Sequence, residues 1–216
     1  MQQCLYENTV IARYIITALD DKAGFFGVAG QVRFKRRFEG ITIRWGTMTI
    51  SVHWPALAGV IHPNIGGWAG AVITRRNINP WYESLKKPSW TPPKWAFGPA
   101  WTSIYCSVGY ASYLVYRDGG GFEGAALPLS IYGANLALNW AWTPIFFGCH
   151  NIKIALCEIV VLWGSTVALA VAFHQVNPVA GYLVLPYIAW TTFATALNYV
   201  IYRDNKETPA IEDKKN

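Results

Sequence analysis

Tyr132, Asn135, Asn139 and Trp142 fall at i, i+3, i+7 and i+10 within a run, Gly124 to Cys149, that has no charged residue. That spacing puts all four on one stripe of an α-helix. A polar amide is costly in hydrocarbon, so Asn139 is expected to point inward, toward other helices or a cavity. Trp190, Ala194 and Leu197 stand at i, i+4 and i+7, a bulky ring beside smaller apolar groups, and Phe97 and Trp101 pair one turn apart. Such stripes can wall an apolar pocket in which a few polar groups orient a flat hydrophobic guest. They also suit helix-to-helix packing, and periodicity alone leaves both readings open.

Leu197, Tyr199 and Arg203 satisfy a Leu/Val, Tyr, Lys/Arg pattern proposed for sterol contact. The same residues make an ordinary aromatic-plus-basic interfacial anchor, and the pattern alone does not choose. Glu158, about one turn past Lys153, can relay protons, pair with a cation, or turn its head out to the interface. His53, His62, His150 and His174 are scattered without ligand spacing, so neither a metal nor a cofactor is expected. Cys4, Cys106, Cys149 and Cys157 include no Cys-x-x-Cys pair and are expected to be small buried hydrophobes. No acid, base or metal arrangement of the usual catalytic kind is visible, which argues against an enzyme.

The elements that must hold these residues follow from where charge is missing. Charged residues are absent from 48–74, 95–116, 124–149 and 159–202. The last run exceeds one span and is interrupted by His174-Gln175-Val176-Asn177-Pro178, a polar turn ending in a helix breaker. With about 20 apolar residues needed per crossing, the sequence predicts helices near 52–74, 95–116, 126–147, 153–173 and 180–202. The expected fold is an all-α integral membrane protein, a five-transmembrane-helix bundle. Composition agrees: 53% of the 216 residues are hydrophobic and 14% charged, against about 25% charged in soluble domains.

The net charge of +6 does not indicate nucleic-acid binding, because the basic residues lie in loops between apolar runs rather than on one polar face. Arg75, Arg76, Lys86, Lys87, Lys94, Lys153, Arg203, Lys206, Lys214 and Lys215 fall on one side of a five-span topology, and Arg117 on the other. The positive-inside rule then directs the C-terminal tail to the cytosol. Residues 1–47 carry Arg13, Lys22, Arg33, Lys35, Arg36, Arg37 and Arg44 and contradict that rule. They are expected to be an N-terminal extension outside the functional domain, with Met48 as an alternative or true start. The transmembrane domain is then 48–205, followed by a polar tail, 206–216. Gly66-xxx-Gly70 and Gly133-xxx-Ala137 permit close helix approach, within one chain or in a homodimer.

Three motifs in order, WYESLKKPSWTPPKWAFGPAW (Trp81 to Trp101), ALNWAWTPIFFG (Ala137 to Gly148) and LPYIAWTTFATALNYVIYRDN (Leu185 to Asn205), resemble the tryptophan-rich sensory protein and peripheral benzodiazepine receptor family, the translocator proteins. The resemblance runs from about Trp54 to Asn205. It implies a non-enzymatic receptor and carrier of the outer mitochondrial membrane that binds cholesterol, protoporphyrin and isoquinoline carboxamide or benzodiazepine-type drugs, and supports cholesterol delivery for steroid synthesis. By motif position it implies pocket roles for Trp101, Asn139, Trp142, Trp190, Ala194 and Leu197, with Phe97 and Ala71 also assigned, and a sterol role for Leu197, Tyr199 and Arg203. Ile154 stands where some relatives carry Trp, a departure that bears on drug affinity. Two alternatives accompany the resemblance. One is light-dependent porphyrin breakdown, reported for bacterial relatives and here implicating Trp101 and Trp190; the other is a ligand-regulated membrane scaffold acting through the loop with Lys86 and Lys87.

Overall fold

The computed structural model describes residues 31–34, 41–45 and 48–206, with side chains from His53 onward except at 79 and 80. The chain divides into two compact units between Trp54 and Pro55. In the first, β1 (Gln31–Phe34), β2 (Ile41–Trp45) and β3 (Met48–Val52) form an antiparallel sheet in the order β1-β2-β3. Its register pairs Val32 with Ile43 and Ile43 with Ile50. Residues 48–52, grouped by the sequence reading with the bundle, are thus a strand on β2, where alternating Thr and Ile suit a pleated ladder. The expected termination of the extension at 47 lies outside the described residues, and of the polar tail, 206–216, only Lys206 is described.

The second unit is helical. Its long elements are α1 (Trp54–Asn77), α2 (Lys94–Asp118), α3 (Ala126–Thr143), α4 (Ile152–Val176) and α5 (Pro178–Asn205). α1 and α3 each run on into a wide π turn, Ile78–Tyr82 and Pro144–Gly148, and one short turn, Gly121–Gly124, precedes α3. These are the five expected helices, displaced by a few residues at their ends. The α4–α5 break falls at Asn177, whose side chain accepts from Ala180 N (3.1 Å) while Pro178 opens the next helix. α1, α4 and α5 are long and apolar enough to cross a membrane by length and mean hydropathy. α2 is as long as α4, but its Trp, Tyr and Ser residues dilute its hydropathy. Large apolar side chains cover the outside, including Ile61, Ile65 and Trp68 on α1, Val161 and Val171 on α4, and Tyr182 and Leu185 on α5. In a soluble protein such a surface would aggregate; in lipid it is the expected exterior.

Inside, the core of α2 to α5 is apolar, with Val108, Val115, Leu162, Leu169, Phe173 and Val184 nearly or wholly inaccessible. Short polar bridges set the register. Asn135 Nδ2 donates to Ser165 Oγ (2.8 Å) and Thr166 Oγ1 (3.0 Å), tying α3 to α4. Trp163 Nε1 donates to Thr192 Oγ1 (2.8 Å), tying α4 to α5. α1 docks through glycine. Pro63 withdraws the donor that Gly59 O would otherwise receive, and that carbonyl lies against Gly109, where a Cβ would stand 2.2 Å from it. Gly66 accommodates the Trp140 ring and Gly70 lies beside Thr143, so the first small-residue stripe is used within the chain. Gly133 has open space around it.

The expected burial of the cysteines needs correction. Cys106 is half-buried, whereas Cys149 and Cys157 are exposed; all three are free, and Cys4 lies outside the described residues. Apolar sequence around Cys157 made it read as core, but on a lipid-facing helix surface apolar residues point outward.

Candidate functional site

Helical spacing brings most of the candidate side chains to one region of the bundle. From α5, Trp190 meets Phe97 of α2 at 5.8 Å between ring centroids and Trp101 at 6.1 Å, both edge-on. Trp101 also stacks on Tyr105 (5.5 Å) and meets Tyr187 edge-on (6.2 Å). Edge-on and offset contacts of this kind are favourable beyond the area they bury. Trp101, Trp142, Trp190 and Ala194 pack against the same core cluster. Trp142 additionally joins Phe97 and buried Leu197 in a second cluster, where it stacks on Phe146 at 4.8 Å. The aromatic wall is therefore assembled, and its rings rest on one another.

Asn139 points inward as expected, and it is fully engaged. Tyr105 OH donates to its Oδ1 (2.5 Å), and its Nδ2 donates to Tyr187 OH (2.8 Å). The amide thus couples α2, α3 and α5 beside the Trp101 ring. Tyr132, the first residue of the same stripe, shares a hydrogen bond with His62 Nε2 (2.8 Å) and holds α1. Three of the four stripe residues, Tyr132, Asn135 and Asn139, are therefore interhelical glue, and Trp142 joins the wall.

The structure does not bring together every candidate. Ala71 is exposed on α1. Leu197, Tyr199 and Arg203 divide between two faces: Leu197 is 6% exposed inside the bundle, while Tyr199 is 54% exposed and Arg203 lies outside, paired with Asp204 (Nε to Oδ1, 2.7 Å). A two-residue step turns a helix by about 200°, so Leu197 and Tyr199 cannot touch one face of a sterol. Ile154 is exposed at the start of α4.

Several residues at the site were not singled out by sequence. Tyr105 and Tyr187, which hold Asn139, stand one turn from Trp101 and Trp190, so the helical spacing that marked the tryptophans also marked them. Phe146 and Phe147 of the π turn meet Trp81 and Tyr82 from the end of α1. The α1–α2 connection then folds across this end, with Trp90 against Phe193 (5.6 Å). Its Lys86 N donates to Asn205 Oδ1 (3.0 Å), and Asn205 Nδ2 returns a bond to Lys86 O (2.9 Å). Lys87 Nζ donates to the carbonyls of Tyr82 (2.7 Å) and Leu85 (2.9 Å). At the same end an open cleft of about 300 Å³ lies between His150, Lys153, Tyr202 and Lys206. Among the described residues no group of His, Cys, Asp and Glu is placed to hold a metal.

Several buried polar atoms have no hydrogen-bond partner: Trp142 Nε1 and Trp190 Nε1 in the aromatic wall, Thr195 Oγ1, both carboxyl oxygens of Glu158 and both side-chain polar atoms of Asn198. Glu158 therefore does not turn its head out to the interface. Buried polar groups are nearly always satisfied in folded proteins, so these atoms are the ones left with capacity for a further partner.

Comparison with known proteins agrees with this architecture. The TspO/MBR family model matches residues 59–203. The chain is 45% identical over 152 residues to the Translocator protein of Homo sapiens, spanning 70% of this chain and 90% of that protein. It is 41% identical over 129 residues to the Tryptophan-rich sensory protein of Cereibacter sphaeroides, spanning 60% of this chain and 79% of the relative. Against Translocator protein 2 of Homo sapiens it is 38% identical over 148 residues, 68% of this chain and 87% of the relative. With its helical membrane bundle and the tryptophan-rich wall inside it, the chain belongs to the TspO/MBR family.

Proposed function

We propose that the protein is a receptor and carrier for flat apolar ligands, namely cholesterol, protoporphyrin and isoquinoline carboxamide or benzodiazepine-type drugs, in the outer mitochondrial membrane with its C-terminus cytosolic. Cholesterol delivery for steroid synthesis is the role that fits such a carrier. The observation that carries this reading is the contact of Phe97, Trp101 and Trp190 across α2 and α5 inside a lipid-exposed bundle. Trp142, Ala194 and Leu197 extend the same wall, and Asn139 is held beside it by Tyr105 and Tyr187, which touch Trp101. The drug and porphyrin occupy the interior. The sterol lies outside along Tyr199 with its hydroxyl at Arg203, and Leu197 serves the interior site. A homodimer through the open Gly133 and Ala137 face is compatible with this arrangement, because the first small-residue stripe is already occupied by Trp140 and Thr143.

The test is equilibrium binding of a radiolabelled isoquinoline carboxamide to the full chain in lipid, with cholesterol and protoporphyrin as competitors. Saturable binding is expected, weakened about tenfold or more, equivalent to ~1.4 kcal/mol, by Trp101→Phe, Trp190→Phe and Asn139→Ala. Absence of saturable binding by well-folded protein would overturn the interior-site reading.

A further inference from the structure

Glu158 and Asn198 carry an unmet demand that the aromatic wall does not explain. Each side chain ends in the bundle interior, and none of their four terminal atoms has a hydrogen-bond partner. Asn198 is 2% exposed, so water from outside does not satisfy it. Lys153, the nearest cation on the same helix as Glu158, is itself exposed, and among the described residues no basic group reaches the carboxylate.

The helix registers put these groups at one depth. α4 and α5 run antiparallel, with Trp163 bonded to Thr192 and Gly181 against His174. Moving equally along both helices from Trp163 and Thr192 toward Cys149 brings Glu158 level with Leu197 and Asn198. α3 and α4 are also antiparallel, with Asn135 bonded to Ser165. Equal steps from that pair bring Trp142 level with Glu158. Three helices therefore supply one polar layer to the bundle interior, and Trp142, whose own indole N–H lacks an acceptor, joins it to the aromatic wall.

We propose that this layer is a recognition subsite for a protonated amine carried on a flat aromatic ligand: Glu158 pairs with the cation, and Asn198 accepts a second N–H. The inference rests on the interior-site reading above and adds the chemical class of one ligand end. A buried carboxylate without a partner is strongly unfavourable, and a cation that arrives with hydrogen-bond donors relieves that cost while losing its own hydration. The aromatic wall supplies the remaining attraction through ring contacts. A neutral ring of the same shape gains only the second part.

The experiment compares 9-aminoacridine, a flat cation bearing N–H donors, with acridine, which has the same skeleton but is uncharged near neutral pH and has no N–H. Both are titrated into the full chain in phosphatidylcholine vesicles, with energy transfer from tryptophan as the readout. 9-Aminoacridine is expected to bind at least about tenfold more tightly than acridine. Glu158→Gln, which keeps shape and removes charge, is expected to abolish that difference, and Glu158→Asp to restore part of it. The radiolabelled isoquinoline carboxamide is expected to bind the wild type and Glu158→Gln alike, which also reports that the variant is folded. Equal affinity for the two probes, or a preference that survives Glu158→Gln, would overturn the proposal while leaving the interior site standing if the carboxamide binds. Failure of all three ligands to bind would overturn both readings.

Discussion

Asn139 and Asn198 are both buried amides, yet one makes two hydrogen bonds to tyrosines and the other makes none. The sequence shows an identical residue type at an inward position in each case. Whether a partner is present depends on residues from other helices, Tyr105 and Tyr187 for Asn139. The sterol pattern shows the same limit. Leu197, Tyr199 and Arg203 are adjacent in a pattern written along the chain, but the helix turns Leu197 inward and the other two outward. The two ligand classes should therefore separate by mutation. Arg203→Leu is expected to lower sterol photolabelling several-fold with carboxamide affinity unchanged, and Leu197→Trp to do the reverse. Loss of both activities together in either variant would mean that sterol and drug share one site.

The helices themselves were legible, because a charge-free run bounded by polar turns leaves lipid-exposed backbone only one way to satisfy its hydrogen bonds. Their wide turns and their close approaches were less so. The Gly59–Gly109 crossing is specific: Pro63 frees the Gly59 carbonyl, and a methyl group on residue 109 would meet it at 2.2 Å. Gly133, on α3, faces open space. Gly109→Ala is accordingly expected to destabilise the bundle by about 1–3 kcal/mol through overpacking, seen as a lower midpoint of thermal unfolding in detergent. Gly133→Ala is expected to leave that midpoint unchanged, and similar losses in both would contradict the assigned crossing. The strands were missed for a different reason. Residues 41–52 contain alternating β-branched residues, but 48–51 open a charge-free run that continues into the first helix and so group with the transmembrane domain.

For the molecule as a whole, charge bias and packing make a joint prediction about orientation. Lys86, Lys153, Arg203 and Lys206 belong to the end where the α1–α2 connection meets Asn205, while Arg117 sits at the opposite end beside Asp118 and Asn177. Cys149 is exposed at the basic end. On the proposed outer-membrane location, with Cys4 replaced by Ser, a maleimide carried on a polymer too large for the outer-membrane pores is expected to label Cys149 from the cytosolic side of intact mitochondria, and Cys149→Ser to remove that label. Labelling only after the membrane is breached would reverse the orientation.

The sequence by itself determined that the chain crosses a membrane in helices, how many there are, where they end, and which stripe of each holds rings or amides. Those features follow from local rules, namely the energetic cost of charge in hydrocarbon and the fixed angle between successive residues of a helix. Only the tertiary structure decided which stripes meet, which buried polar groups find partners, and which small-residue face remains free. Each of those outcomes depends on side chains contributed by separate helices at a common depth, and helix register is set by contacts such as Asn135 to Ser165 and Trp163 to Thr192 that no single segment encodes. Glu158 states the difference most directly: its position on α4 was readable, but its lack of a partner is a property of all the surfaces packed around it.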